Sequence, residues 1–478
     1  MPQLTRRLQP SLAFIPTAYN PWVLRAVHWA LPVLLQVRLR PWLPAGIRRI
    51  EVANVQPLVD LYAQFEAGNA RFIMAPRHVE VDDPLSGLYL CSQAVAQAAK
   101  RQGIALKQPV HTHFIYERGM TIWAGASIGW LLSRIGGVPI RRGRKPDWVG
   151  LKAARKLMLE GSMPMVVAPE GATNGHSERL GPLEPGVAQL GFWCAEDLQR
   201  SQRSEDVFIV PIGIQYHYEQ PNWPKLAAFL SKLEAQSGLA QPTVSSPTPD
   251  KDCYVRILRL GEHLIKTMEV FYTRCHHQQF DKGESAAADG SDSTNAEPAA
   301  ALTPEDCSER LQQLLDRSLQ VAEQFFNLPN KGSLVDRCRR LEEASWGYIY
   351  REDLPSPLSP LARGLADWAA QEASLRELHM RIVESFVAVD GLYVREKPSF
   401  ERCAETTLLM SDMLARLAGD KLPARPRLGD RWVKVTVQSP IAVTPHLADY
   451  QQSRRAGRSA VMALTEELRQ SLEETIER

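Results

Sequence analysis

The apolar pattern begins with residues 22–37, WVLRAVHWALPVLLQV. Arg25, His28, Pro32 and Gln36 interrupt the run, and it falls short of the about 20 apolar residues that cross a bilayer. Trp22, Trp29 and Trp42 stand among arginines. An indole ring or an arginine stem is apolar and its tip polar, a combination that suits the headgroup layer. The pattern predicts an interfacial, monotopic helix; a buried core helix and a true span are the competing readings. From residue 47 the texture alternates. Ile47–Val52, Arg71–Ala75, Val110–Tyr116, Gly137–Ile140, Met163–Ala168 and Val207–Gln215 read as strands. Pro84–Arg101, Thr121–Ile135, Asp147–Glu160 and Gly186–Gln199 carry apolar residues at helical spacing. Apolar strands separated by helices predict an α/β domain with a mixed, largely parallel sheet flanked by helices.

After about residue 220 the pattern changes. Residues 240–252 (AQPTVSSPTPDKD) are polar and Pro-rich, and 281–304 are acidic and of low complexity; both read as linkers, the second as disordered. Helical patterns cover about 254–276, 305–327, 333–346, 361–389 and 399–418. Leu311, Leu314, Leu315, Ala322, Phe325 and Phe326 make an apolar face that predicts helix-on-helix packing. Residues 431–443 return to strand and 458–477 to an amphipathic helix. The organisation expected is a basic membrane-associating segment (1–46), a first part of the α/β domain (47–220), a helical insertion (221–427) and a closing strand and helix (428–478).

Composition narrows the class. An apolar fraction of 44% and a charged fraction of 23% exclude wholesale disorder and a polytopic membrane protein. The net charge of +2 predicts no nucleic-acid partner. It also hides an asymmetry: residues 1–50 hold seven arginines and no acid, so they carry +7 against −5 for the rest. That excess points to an anionic lipid surface. The seven cysteines are widely spaced without a C-x-x-C, which predicts reduced thiols in a cytosolic compartment. Arg6 and Arg7 do not open a secretory signal, because the apolar run after them is short and bracketed by Pro10 and Pro16.

Three segments carry candidate chemistry. In RFIMAPRHVEVDDP (71–84) a strand delivers His78 into a loop, and Asp83 follows at the mouth of a helix. A histidine there can act as general base, and a carboxylate can hold its tautomer and the charge it gains. In VVAPEGATNGHSERLGPLEPG (166–186) a strand ends at Pro169-Glu170-Gly171. Glu170 there either orients a substrate hydroxyl or is a solvated turn carboxylate. In GGVPIRRGRK (136–145), Arg141, Arg142, Arg144 and Lys145 follow a short strand. Guanidinium forks bind phosphate bidentately; a solvated basic loop is the alternative.

Taken in order, H-x4-D, a strand with I-x-R, P-E-G and the V-P-I of residues 210–212 resemble the glycerolipid acyltransferase family, typified by the 1-acylglycerol-3-phosphate and lysophospholipid acyltransferases. The resemblance implies a catalytic pair in His78 and Asp83. It implies substrate binding by Arg142, with Arg141 and Arg144 beside it, and by Glu170 and Gly171. Ala172-Thr173-Asn174 stands where the family has Thr-Arg-Ser, and Arg179 is a candidate replacement for that arginine. Arg77 stands where an Asn often precedes the histidine. The implied reaction is direct acyl transfer from acyl-CoA or acyl carrier protein to a glycerol-phosphate or lysophospholipid hydroxyl, with no metal and no cofactor beyond the donor. The implied place is the cytoplasmic face of a membrane.

Two rival readings remain. Gly125-Ala126-Ser127-Ile128-Gly129 matches the G-x-S-x-G of serine esterases, although small residues for close helix packing account for it better, since no buried strand and sharp turn precede it. The altered Glu-Gly loop also allows an inactive membrane-bound scaffold.

Overall fold

The computed structural model describes residues 8–9, 12–38, 46–141, 147–240, 248–280, 303–351, 353–354, 357–386, 392–420 and 423–477. The chain divides into an α/β unit, residues 12–221 with 422–478, and a helical unit, residues 222–421 with the first eleven residues.

The α/β unit is built on eight strands: β1 (Ile47–Ala53), β2 (Ala70–Pro76), β3 (His113–Glu117), β4 (Gly137–Ile140), β5 (Met165–Val166), β6 (Asp206–Tyr218), β7 (Arg431–Val437) and β8 (Ile441–Ala442). Their order is β1-β7-β6-β2-β5-β3-β4, with β8 also on β6. The sheet is mostly parallel; β6 pairs antiparallel with β7 and β8. Successive side chains of a strand point to opposite faces, and β2 displays this directly. Phe72 and Met74 pack with Leu58, Tyr62, Leu90 and Val95 on one face. Ile73 and Ala75 pack with Met158, Phe192 and Leu468 on the other. Burial on both faces explains why these strands read as continuous apolar runs.

Residues 428–478 return to the same sheet. Tyr218 at the end of β6 pairs with Arg431 at the start of β7, and Glu219 N donates to Asp430 O at 2.9 Å. The chain therefore leaves and re-enters the α/β unit side by side, as the two arms of one hairpin.

Several elements differ from the pattern reading. The helix expected over 121–135 breaks at Gly125, whose φ of +96° is closed to most L-residues, giving Met120–Ala124 and Ala126–Arg134. The 84–101 helix contains a π-helical stretch at Leu90–Val95. The strand expected over 163–168 is only Met165–Val166, because Pro164 before it has no N–H to donate. Residues 110–112 precede β3 as loop. Helices Gln56–Glu66 and Trp223–Gln236 were not expected. The 240–252 linker is shorter than its composition implied, since a helix begins at Pro249; residues 241–247 and 281–302 lie outside the described residues.

The helical unit comprises Trp223–Gln236, Pro249–His276, Pro304–Phe325, Leu334–Ile349, Pro360–Phe386, Tyr393–Glu396 and Phe400–Leu417. Thr303 and Ser333 start two of these with reciprocal capping boxes. Leu314, Leu315 and Ala322 are buried as their spacing implied, whereas Phe325 is exposed. Leu8 and Gln9 bond to this unit, through Asp367 Oδ1 and Ile349 O. In the α/β unit, the helix Pro21–Gln36 buries Leu24, Leu31 and Leu35 and leaves Trp22 and Trp29 outside.

His111, buried before β3, bonds through Nε2 to Ile135 O at 2.8 Å. Burial pulls its pKa down from 6.5 to about 4. The unfolded chain thus takes up this proton at a higher pH than the folded one. The stability that neutral His111 contributes is complete above pH 6.5 and is lost as pH falls toward 4. Denaturant unfolding at stepped pH is expected to lose up to about 3 kcal/mol over that interval through this group. A His111→Gln chain is expected to show a shallower loss; an identical slope would contradict the assignment.

Candidate active site

The strand β2 ends at Pro76, and Arg77 still keeps the sheet register, its N–H donating to Ile212 O at 2.9 Å. Arg77 is only 1% exposed. Its guanidinium donates to the carbonyls of Ser177 (2.6 Å), His176 (3.1 Å) and Arg179 (2.6 Å). A buried cation is stable only when carbonyls or charges replace its hydration. Here it ties the Pro-Glu-Gly loop to the end of β2.

Glu170 completes that tie. Its Oε1 accepts the backbone N–H of His78 at 2.8 Å. Its Oε2 accepts from Gly181 N at 2.7 Å and Asn174 Nδ2 at 2.5 Å. The carboxylate is buried, and burial raises its pKa although Arg77 and the N–H groups of His78 and Gly181 pull it down. Neither the hydroxyl-orienting nor the solvated reading of Glu170 describes this. It braces the loop from inside. A Cβ on Gly181 would meet Glu170 Oε2 at 2.7 Å, so that close approach requires glycine. Gly171 takes the left-handed φ of +72° that turns the chain into the loop. Asn174 N and Gly175 N then donate to the carbonyls of His78 and Val79.

Against this scaffold His78 Nδ1 lies 3.0 Å from Asp83 Oδ2. The imidazole is 27% exposed, and no described residue is bonded to its Nε2. Asp83 is buried. Its Oδ2 also accepts from Glu80 N at 3.0 Å, and its Oδ1 accepts the Tyr216 hydroxyl at 2.6 Å. Tyr216 lies 3.1 Å from Asp82 Oδ1 as well; with one proton to give, it serves the nearer carboxylate. Arg431 Nη2 donates to Asp82 Oδ2 at 2.8 Å, and Arg425 Nη1 to Glu80 Oε2 at 2.9 Å. Burial raises the pKa of Glu80 against the pull of Arg425 and Arg431, and raises that of Tyr216 well above 10. Three acids thus crowd one turn, and two arginines and a tyrosine hold them. With Asp83 accepting from Nδ1–H, the Nε2 lone pair is the basic site of the ring.

The structure brings His78, Asp83, Glu170, Gly171 and the backbone of Arg179 together. The Arg179 side chain is half-buried. Arg141 follows β4 with its N–H on Asp147 Oδ2 at 2.9 Å. It shares the carboxyl edge of the parallel sheet, where α/β folds place ligands. β4 is three strands from β2, about 14 Å at the usual strand spacing. Arg142, Arg144 and Lys145 lie outside the described residues. Ser127 is exposed, the second residue of a helix that follows another helix. The buried strand that an esterase elbow needs does not precede it. A Cβ on Gly129 would strike Ile15 and Thr121, so close packing explains its glycine.

Comparison with known families decides the class. Residues 68–215 match the family model described as Acyltransferase, that of the glycerolipid acyltransferases. This segment is an acyltransferase domain. Searches of curated proteins and of solved structures returned no match. The matched span of the acyltransferase domain holds His78, Asp83, Glu170 and Arg179. It stops one residue before Tyr216 and far before Arg425 and Arg431, so the groups that steady the acidic turn come from beyond it. Sequence reasoning missed all three. Tyr216 had a signal: it continues the inward alternation of Val210, Ile212 and Ile214 along β6.

Tyr216→Phe removes the hydroxyl donor from Asp83 while keeping the ring. A hydrogen bond to a charged group is worth about 1.5–3 kcal/mol, so kcat for acyl transfer is expected to fall about tenfold to a hundredfold with KM little changed. Glu170→Gln sets an amide NH2 against Gly181 N–H and Asn174, and is expected to cost about 2 kcal/mol of stability as well as activity. Unaltered kinetics in both chains would contradict these roles.

Proposed function

We propose that this acyltransferase is a peripheral membrane glycerolipid O-acyltransferase. It moves a fatty acyl chain from acyl-CoA or acyl carrier protein to a hydroxyl of a glycerol-phosphate or lysophospholipid, on the cytoplasmic face of a membrane. The observation that carries the reading is the His78–Asp83 pair with the Nε2 side of the ring open. His78 takes the acceptor hydroxyl proton as the oxygen bonds to the thioester carbonyl carbon. The C–S bond then breaks and the thiolate leaves, taking up the proton. Thiols ionise near pH 8.5, so the leaving group is good and no acyl-enzyme is required. Asp83 holds the ring and stabilises the imidazolium. Arg141, with Arg142 and Arg144 after it, is assigned to the acceptor phosphate or the phosphates of CoA.

Membrane association is supported by the Pro21–Gln36 helix. Trp22 and Trp29 are 72% and 87% exposed, Val33 and Val37 are exposed, and Arg25 stacks on Trp22. At 16 residues it is about 24 Å long, and among the described residues no helix is long and apolar enough to cross a membrane. The +7 charge of residues 1–50 adds attraction to anionic lipid, about 1 kcal/mol per nearby basic residue. All seven cysteines are free thiols, in keeping with a reducing compartment.

Labelled acyl-CoA and acyl carrier protein, each offered with glycerol 3-phosphate, lysophosphatidate and other lysophospholipids, test the chemistry. Transfer to one acceptor is expected, with at least about a thousandfold loss in His78→Ala. A folded His78→Ala chain of full activity would overturn the base assignment, and binding to liposomes without transfer to any acceptor would favour the inactive scaffold. Flotation with anionic vesicles tests the membrane half: the Trp22→Glu, Trp29→Glu chain is expected to stay at the bottom of the gradient, and undiminished flotation would contradict it.

A further inference from the structure

The first four turns of the Pro360–Phe386 helix turn an apolar stripe to solvent. Leu361, Leu365, Trp368 and Leu375 are 75%, 56%, 64% and 46% exposed. The opposite side of the same turns is core, where Ala370 and Ala373 are buried with Ile349. Single exposed apolar residues are ordinary on any surface, but four large ones in a row mark an interaction site. Their spacing says what kind. With Glu372 they stand at intervals of four, three, four and three residues. That repeat of 3.5 is the seam of a coiled coil, narrower than the broad apolar face of a helix lying in lipid.

The surroundings of the seam select a protein helix over a lipid surface. Arg363, Asp367, Glu372 and Arg376 are the charged residues of 360–376 and sum to zero, so this face lacks the attraction to anionic lipid that residues 1–50 have. Positions beside the seam are small: Ala362, Gly364 and Ala369. A Cβ on Gly364 would meet nothing within 4 Å, so no contact inside the chain calls for that glycine, which costs a helix stability relative to alanine. A second helix backbone lying close against it does. The seam is also its own complement. It is centred on Trp368, so two copies set antiparallel about a two-fold axis there bring Leu361 of each to Leu375 of the other. A parallel pair would set Glu372 against Glu372, like charges in one layer. In the antiparallel pair the Glu372 head stays matched within its own helix, 3.8 Å from Arg376 Nη2 and 3.4 Å from Trp368 Nε1. From Leu361 to Leu375 the stripe is about 21 Å long. Two such stripes face to face bury about 1,000 Å², the lower limit of a specific interface, which makes the pair a weak one.

We propose that this face of the helical unit binds a second copy of the chain, as an antiparallel helix pair about a two-fold axis at Trp368. A two-fold pair closes on itself and leaves no further seam open. The inference stands apart from the acyl-transfer chemistry and from the glycerolipid reading.

Sedimentation velocity of the full chain, from about 1 to about 200 μM, tests it. The parent is expected to pass from 53.6 kDa toward twice that mass, with a dissociation constant of about 10 μM. Trp368→Glu sets two carboxylates together at the axis and is expected to raise that constant at least about a hundredfold. Trp368→Lys does the same with two ammonium groups. An equimolar mixture of the two variants is expected to recover the dimer, because residue 368 meets its own counterpart only in this arrangement. Leu361→Glu, at the end of the seam, is expected to weaken the pair about tenfold, and it covers residue 368 variants that do not fold. A parent that is monomeric at the highest concentration overturns the proposal. So does a dimer that survives Trp368→Glu, a mixture that stays monomeric, or a Leu361→Glu chain that pairs as tightly as its parent. A dimer lost in the Trp22→Glu, Trp29→Glu chain overturns it too, by placing the contact on the Pro21–Gln36 helix. A monomeric parent whose flotation with anionic vesicles falls in Trp368→Glu assigns the stripe to lipid instead.

Discussion

The Asp83 carboxylate is the point on which the site depends. It accepts from the His78 ring, from Glu80 N–H and from the Tyr216 hydroxyl, and it is buried. A buried carboxylate keeps its charge only where donors replace its lost hydration. Asp82 and Glu80 beside it make the problem harder, since like charges within one turn repel. Arg431 and Arg425 offset them, and Tyr216 caps Asp83 from the sheet. The geometry of the candidate site is thus an electrostatic solution spread over the turn, β6 and the returning segment.

That distribution makes sense of the interrupted chain. The sheet needs β7 between β1 and β6, and the acidic turn needs Arg425 and Arg431, so the α/β unit is incomplete without residues that come after the helical unit. Because Tyr218 and Arg431 are paired, the two hundred or so intervening residues occupy a single hairpin connection. Insertions are tolerated at exposed connections whose ends lie close together. The acyltransferase match ends inside β6, before this connection.

The α/β class, most strands and the order of the motif loops were legible in the sequence because they rest on local pattern. His78 and Asp83 share one loop, and their five-residue spacing carries the contact. What was not legible depends on partners remote in the chain. Glu170 read as a surface or substrate-facing carboxylate, because nothing near it in sequence reveals the His78 N–H that it accepts. Arg77 read as a departure from a family motif, whereas its buried guanidinium holds the carbonyls of residues a hundred positions away. The break at Gly125 was hidden because Ala124 and Ala126 flank it and the apolar pattern continues through Ile128, Leu131 and Leu132. The helix Gln56–Glu66 was missed because Pro57 and a short apolar pattern resemble a loop between strands, while Pro at the first turn is a helix start.

The central claim is that Asp83, steadied by Tyr216 and the two arginines, holds His78 as a base with its Nε2 lone pair free. Nitrogen-15 NMR of the histidine-labelled full chain at neutral pH tests it most directly, with His78→Gln assigning the resonance. The account predicts the Nδ1–H tautomer, an unprotonated Nε2, and loss of that preference in Asp83→Asn. A neutral ring protonated on Nε2 with a bare Nδ1 would contradict it.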